Sequence, residues 1–357
     1  MRFYMPARLY SEVGCVKNHR RELAALGSKA LIVTGARSSR ANGSLGDVCE
    51  ALESCGVEYV IFDRVEENPC VETVMAARDA GIEAGADFVI GIGGGSPIDA
   101  AKAAALMIAH PDCGWEYLYE TGDDSALPLA AVPTTCGTGS EVTGVSVITR
   151  HDLKTKVSIR HKVFPALALV DGSYILSAPR SLIVNTAIDA LSHLFESGAN
   201  RLADRCSNMI VFEGLRLWRE CLPCLSGYEP LGAEAAKKLM EASVFGGMAI
   251  AQTGTTIPHA LSYMLTYEAH IPHGAAVGAF QANYLRYAEP QQRDALLSAA
   301  GFPDADSLDE LIRSLAPVSA DRDLLTRSAE SVLAKPEKLA VCPYELNREL
   351  MMKIASI

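Results

Sequence analysis

The sequence predicts an N-terminal α/β domain built on a parallel sheet, residues 1–175, and an all-helical C-terminal domain, residues 176–357. Three observations carry that prediction. Short apolar runs alternate with helix-patterned stretches through the first half, as strands joined by crossover helices do. The strand-like runs are continuously apolar, as in "ALIVTG" (30–35) and "ADFVIGIGGG" (86–95), which suits strands buried in a parallel sheet. Beyond about residue 176 such runs stop, and the remaining segments show helical apolar spacing.

Element by element, "ALIVTG" is the first strand and "SLGDVCEALESCG" (44–56) the helix after it. "VEYVIFD" (57–63) is the next strand, and "VETVMAARDAGIEAG" (71–85) a helix closed by Gly85. The strand "ADFVIGIGGG" runs into glycines. The alanine-rich helix "SPIDAAKAAALMIAH" (96–110) follows, with Ser96 expected as N-cap and Pro97 in the first helical position. "LPLAAVPTT" (127–135) and "PALALVD" (165–171) are two further strands. The helical half comprises "SLIVNTAIDALSHLFESGAN", "SNMIVFEGLRLWRECL", "EAAKKLMEASVFGGMAIA" and "SLDELIRSLA".

Composition narrows the function. A chain of 357 residues with net charge −11 lacks the basic surface that nucleic-acid binding needs. No apolar segment reaches membrane-spanning length, and "MRFYMPARLYSEVG" has no signal-peptide pattern. Ten cysteines in such a chain read as reduced thiols, so the expected compartment is cytoplasmic. The one C-x-x-C pair, Cys221 and Cys224, lacks a second pair and reads as structural rather than as a zinc or redox site.

"GIGGGSPID" (91–99) sits where a strand ends and a helix opens. Glycines there let backbone approach a pyrophosphate, and the helix N-terminus offers free N–H groups to its charge. The spacing is not the common G-x-G-x-x-G, and a ligand-free tight turn is the competing reading. A second polar loop, "PTTCGTGSEVTG" (133–144), follows another apolar strand. Two such loops at strand ends favour a dinucleotide-binding domain, because open α/β sheets bind ligands beyond the carboxyl ends of their strands.

In the helical half, Asp189 and His193 of "IDALSH" lie four apart on one helix face. They are either a hydrogen-bonded core pair or two metal ligands. The stretch "PHALSYMLTYEAHIPH" (258–273) holds three of the chain's eight histidines. His259 and His273 each begin a predicted helix, whereas His270 falls on the connecting loop. One carboxylate and three imidazoles suit a borderline divalent ion such as Fe²⁺ or Zn²⁺.

"GGGSPIDAAKA", "PTTCGTGSEVT", "DALSHLFES" and "PHALSYMLTYEAHIPHG" together resemble the iron-containing, or group III, alcohol dehydrogenases. The likeness runs from about residue 4 to 290, and "ALIVTGARSSRANGSLGD" and "VEENP" resemble the 1,3-propanediol dehydrogenase-like subgroup. The resemblance implies a dinucleotide-binding α/β domain and an all-α metal-binding domain, with Asp189, His193, His259 and His273 as metal ligands. It places Gly94, Gly95, Ser96 and Asp99 in the pyrophosphate loop and Thr134, Thr135 and Thr138 in the second cofactor loop. Lys156 matches a lysine that reaches the ribose hydroxyls, with Lys154 as its competitor. It further implies hydride transfer between a nicotinamide and a short-chain alcohol or aldehyde whose oxygen the metal polarises, in a homo-oligomer such as a dimer. Glycerol-dehydrogenase-like and dehydroquinate-synthase-like enzymes, which also pair a metal with NAD, are the alternative.

Two departures from the family pattern matter. Many members carry an aspartate after the first strand, where it holds the adenosine ribose. Here that place is Gly35, followed by Arg37, Ser38 and Ser39, which favours a 2′-phosphate and therefore NADP(H) over NAD(H). Several relatives also carry a second histidine four residues after the third ligand, often credited with proton transfer. Tyr263 stands there instead, either donating a hydrogen bond at the site or packing as an aromatic, with His270 expected to assist.

Overall fold

The computed structural model describes residue 1 and residues 3–357. They form two compact units, Met5–Thr135 with Gly139–Ala178, and Pro179–Ile357 with Met1–Tyr4 and Cys136–Thr138.

The first unit is a six-stranded sheet. Its strands are β1 (Arg8–Ser11), β2 (Lys29–Thr34), β3 (Glu58–Phe62), β4 (Phe88–Gly93), β5 (Leu129–Pro133) and β8 (Leu167–Val170). The spatial order is β1-β8-β5-β4-β2-β3, with every neighbouring pair parallel. Period-two alternation explains the unbroken apolar runs. Leu31, Val33 and Val89 enter one hydrophobic core, while Ala30, Ile32, Ile90 and Ile92 enter another. Helix α1 (Ser44–Ser54) supplies Leu45, Val48 and Leu52 to the second core; α2 (Val71–Ala84) and α3 (Gly95–Ala109) serve the first. Two pieces escape the sequence reading because they are short and mixed in polarity: β1, "RLYS", and the antiparallel hairpin of β6 (Val147–Arg150) and β7 (Thr155–Ser158).

The start of α3 differs from the expectation of a Ser96 cap. The helix begins at Gly95, Gly94 takes the capping position, and the Ser96 hydroxyl instead accepts the Asn68 N–H at 3.0 Å. Gly93, at φ +145°, turns the chain before a serine is reached, and a Cβ there would lie 2.6 Å from Pro97 Cγ.

A buried polar network holds the second loop in place. Lys102, fully buried on α3, donates to Ser140 Oγ at 2.7 Å and to the Val145 carbonyl at 2.7 Å. Asp99 accepts from Ser140 Oγ at 2.6 Å and from the Val147 amide at 2.8 Å, and lies 3.8 Å from Lys102 Nζ. Burial pulls the lysine down to about 8 against the pull of Asp99 and Glu141, and it raises the Asp99 carboxyl despite Lys102. Glu141 is buried too, and desolvation outweighs its own amide and Lys102 to push its carboxyl up to about 7.

The second unit is helical; among the described residues no strand follows Val170. Its axis is α4 (Arg180–Gly198), buried continuously from Ala187 to Gly198. Around it lie α5 (Arg205–Glu220), α6 (Ala233–Thr253), α7 (Ile257–Glu268), α8 (His273–Gly278) and α9 (Gln281–Arg286). Small residues let the neighbours close in on α4. A Cβ on Gly274 would sit 1.8 Å from the Asn185 carbonyl oxygen, so α8 can approach α4 only with glycine there. Among the described residues no helix is long and apolar enough to cross a membrane.

Two outcomes follow. Gly274→Ala should force α8 away from α4 and cost about 1–3 kcal/mol, read as a lower midpoint of thermal unfolding; an unchanged midpoint would contradict the close approach. Glu141 binds its proton more tightly folded than unfolded. Its contribution to stability is therefore full below about pH 4.5 and lost as pH rises to about 7. Glu141→Gln should remove that slope, on the order of 3 kcal/mol across the window, when denaturant unfolding is compared at several pH values.

Candidate active site

The helical unit gathers its titratable side chains around one carboxylate. The helical period places Asp189, His193 and Glu196 on a single face of α4, each separated by about one turn. His259 arrives from the first turn of α7, behind Pro258, and His273 is the first residue of α8, behind Pro272. Asp189, His193 and His259 are buried and offer ligand atoms that all lie within 4.8 Å of one another. His273, partly exposed, places Nε2 3.7 Å from Asp189 Oδ1.

Hydrogen bonds decide which nitrogen of each ring carries a lone pair. His193 Nδ1 lies 3.2 Å from the Gly137 carbonyl, which can only accept, so Nδ1–H donates. His259 Nδ1 lies 2.5 Å from Glu196 Oε1 and donates to that carboxylate. The Ser262 hydroxyl gives its proton to the His259 carbonyl at 2.8 Å, and so accepts from His273 Nδ1 at 3.4 Å. In the neutral rings Nε2 is then the lone-pair nitrogen of all three. These atoms stand 3.9, 3.4 and 3.7 Å from Asp189 Oδ1 for His193, His259 and His273.

Two buried carboxylates, Asp189 and Glu196, set the electrostatics of the site. Burial opposes ionisation of Asp189, yet the surrounding histidines hold its carboxyl well below the usual carboxylate range. His193 is pulled down by burial despite Asp189. His259 moves the opposite way, to about 9, because Glu196 touches it as a second carboxylate and together with Asp189 outweighs burial. Asp189 Oδ1 and His259 Nε2 are both buried without a hydrogen-bond partner, although they face each other at 3.4 Å. A carboxylate oxygen and converging imidazole lone pairs fit a divalent cation, which would serve the orphaned atoms together.

Glu196 is the residue that sequence reasoning missed. Its signal was present in "DALSHLFES", where a second carboxylate interrupts an apolar helix. His270 does not join the buried group; it is exposed on the turn after α7, at φ +53°. Tyr263 lies half-buried, its ring stacked on His273 with centroids 6.2 Å apart.

In the α/β unit, the two glycine-bearing loops meet beyond β4 and β5. The Thr134 amide donates to the Gly93 carbonyl at 2.8 Å, and a Cβ on Gly94 would come within 3.1 Å of Thr135 Oγ1. Gly94 packs against Thr135, and neither it nor Gly95, both half-buried, puts a side chain over the head of α3. Asp99 spends its oxygens on the network around Ser140 and Val147, so its part is to anchor the second loop. Thr138 belongs to the segment grouped with the helical unit. Lys156 lies buried on β7 and donates to Asn68 Oδ1 at 3.1 Å, whereas Lys154 is exposed in the hairpin turn. Asn68, itself at φ +58°, therefore connects Lys156 to Ser96.

Around Gly35, one expectation is corrected. Ser39 is fully buried and its hydroxyl bonds to Thr34 Oγ1 at 2.8 Å; Thr34 uses its own proton on the Ile92 carbonyl. Ser39 is thus spent inside the fold and not a donor to a phosphate. Arg37 and Ser38 are exposed.

Comparison with known proteins shows the family. The family model for iron-containing alcohol dehydrogenase matches residues 6–172, and the C-terminal model of the same family matches residues 183–325. The long-chain primary alcohol dehydrogenase of Thermoanaerobacter ethanolicus is 30% identical over 91% of this chain and 82% of its own length. The NADPH-dependent butanol dehydrogenase of Clostridium saccharobutylicum is 29% identical over 88% of this chain and 83% of its own. A solved iron-containing alcohol dehydrogenase from Thermotoga maritima superposes with a TM-score of 0.90 at 34% identity, covering 99% of this chain and 98% of that one. With a parallel-sheet domain, a helical domain and matches along most of its length, the chain belongs to the iron-containing alcohol dehydrogenase family and is an alcohol dehydrogenase.

Proposed function

We propose that the protein is a metal-dependent, NADP(H)-preferring dehydrogenase of a short-chain alcohol, 1,3-propanediol-like or similar, and a reductase of the matching aldehyde. Asp189, His193, His259 and His273 would hold an ion of the Fe²⁺ or Zn²⁺ type. The observation that carries this reading is the convergence of three Nε2 atoms on one buried carboxylate oxygen while each Nδ1 is committed elsewhere.

When bound, the ion supplies Lewis-acid polarisation of the substrate oxygen, and the nicotinamide carries the hydride. The chain's own residues set the conditions for that chemistry. One carboxylate and three neutral imidazoles cancel only half of a divalent charge, so the donor set preserves electrophilicity. Burial of Asp189, His193 and His259 keeps water from screening that charge. Tyr263, whose ring stacks on His273, would offer its hydroxyl to substrate or to a water in place of the family's histidine. His270, exposed on its turn, is left with at most the solvent end of a proton route.

On the cofactor side, Gly94, Gly95 and Ser96 offer the head of α3 to the pyrophosphate, and Thr134, Thr135 and Thr138 border the second loop. Lys156 is the cation assigned to the ribose. Gly35 removes the carboxylate that would repel a 2′-phosphate, and Arg37 and Ser38 are its donors. The NADPH-dependent butanol dehydrogenase among the relatives supports this preference. The compartment of this reading is the cytoplasm, supported by ten cysteines that are all free thiols, and the homodimer is carried over from the family resemblance alone.

His259→Ala and His273→Ala should each lose bound metal and turnover together, followed by elemental analysis and by cofactor absorbance with a panel of short aldehydes. A metal-free variant with full activity would refute the site. The ratio of kcat/KM for NADPH over NADH should exceed one. Arg37→Ala should lower that ratio about tenfold, the loss of one charge-assisted hydrogen bond in an exposed setting. A wild-type preference for NADH would overturn the cofactor assignment.

A further inference from the structure

We propose that Glu196 is the positioning residue of the metal centre, holding His259 in the one tautomer that can bind a cation. The proposal rests on the metal-site reading above and concerns a residue outside the four ligands.

Glu196 is completely buried, and among the described residues each of its hydrogen-bond partners is a donor. Its Oε2 accepts the Thr256 amide at 2.6 Å and the Thr256 hydroxyl at 2.9 Å. Its Oε1 accepts His259 Nδ1 at 2.5 Å and Gln281 Nε2 at 2.9 Å. The bond from Nδ1 fixes both the plane of the imidazole and the place of its proton, leaving the Nε2 lone pair aimed at Asp189 Oδ1. The same carboxylate ties α4 to the residue that precedes α7 and to the first residue of α9, so ring orientation and helix placement share one anchor.

This geometry separates positioning from packing. Glu196→Gln keeps size and shape but replaces one acceptor by an NH₂ donor. The Thr256 amide points in a fixed direction, so the Gln carbonyl must remain there and its NH₂ must face His259 and Gln281. Gln281 can answer by turning its own amide over. The imidazole can answer only by accepting at Nδ1 and carrying its proton on Nε2, where it blocks the cation.

The test titrates the metal-free protein with Co²⁺, followed by d–d absorption, and with Zn²⁺ in competition with a chromogenic chelator. Wild type, E196Q, H259A and the double variant are compared. E196Q should fold, with a far-ultraviolet spectrum like wild type, yet bind either ion about 10–100-fold more weakly. In the H259A background the same change should add nothing, because Glu196 acts through that ring. Wild-type affinity in folded E196Q, or an equal further loss in the H259A background, would overturn the proposal. Failure of wild type to bind one ion, or wild-type affinity in H259A, would instead sink the metal-site reading beneath it. Should E196Q not fold, ¹⁵N-histidine spectra of Zn²⁺-loaded wild type decide. A far-downfield, exchange-protected Nδ1–H proton supports the assignment and its absence overturns it.

Discussion

A carboxylate buried in the middle of a long helix has to be balanced by positive charge, and Asp189 is the group on which the helical unit is built. At 3% exposure it cannot rely on water. Three imidazoles face it, His193 from α4 itself and His259 and His273 from α7 and α8, and small residues let neighbouring helices close in on α4. Gly246 lets α6 pass against Ala190 and the Cβ of His193, and Gly274 lets α8 pass against Asn185. The apolar packing of α4 thus serves a polar purpose: it brings donors to one oxygen and keeps solvent from weakening their attraction.

The α/β unit solves a different problem with the same economy. An anion needs unpaired backbone N–H groups and room to approach them, and a parallel sheet provides both at the carboxyl ends of adjacent strands. Gly93 and Gly94 turn the chain into α3 without placing a side chain over its head. The neighbouring loop is held from below by Lys102 and Asp99, whose charges are buried and satisfied by Ser140, Val145 and Val147. Such a network is costly to assemble, but it leaves the loop a single conformation.

Much of this was legible from the chain alone. Continuous apolar runs mark buried strands because both faces of a parallel sheet are covered, and β2, β4, β5 and β8 lie where those runs are. The spacing of Asp189 and His193 reads as one helix face because the α-helical period is local geometry. Edge strand β1 and the β6–β7 hairpin were not legible, since their four-residue strands carry mixed side chains whose pairing is supplied by distant partners. Ser96 resembled a cap by type, yet the turn at Gly93 came first. Ser39 resembled a phosphate donor by type, yet Thr34 had already claimed its hydroxyl.

By itself, then, the sequence determined the class of fold, the order of the central strands and the long helices, and the residue types suited to a cation and a dinucleotide. These follow from periodicity and side-chain chemistry, which act over a few residues. Only the tertiary structure decided which nitrogen of each histidine carries its lone pair, that Glu196 is the carboxylate beside His259, and that Asn68 joins Lys156 to Ser96. Such matters depend on partners 60 residues or more apart in several cases, as with Glu196 and Thr256 or Lys156 and Asn68. A hydrogen bond is directional and short-ranged, so its partner is known only once packing has brought the two atoms together.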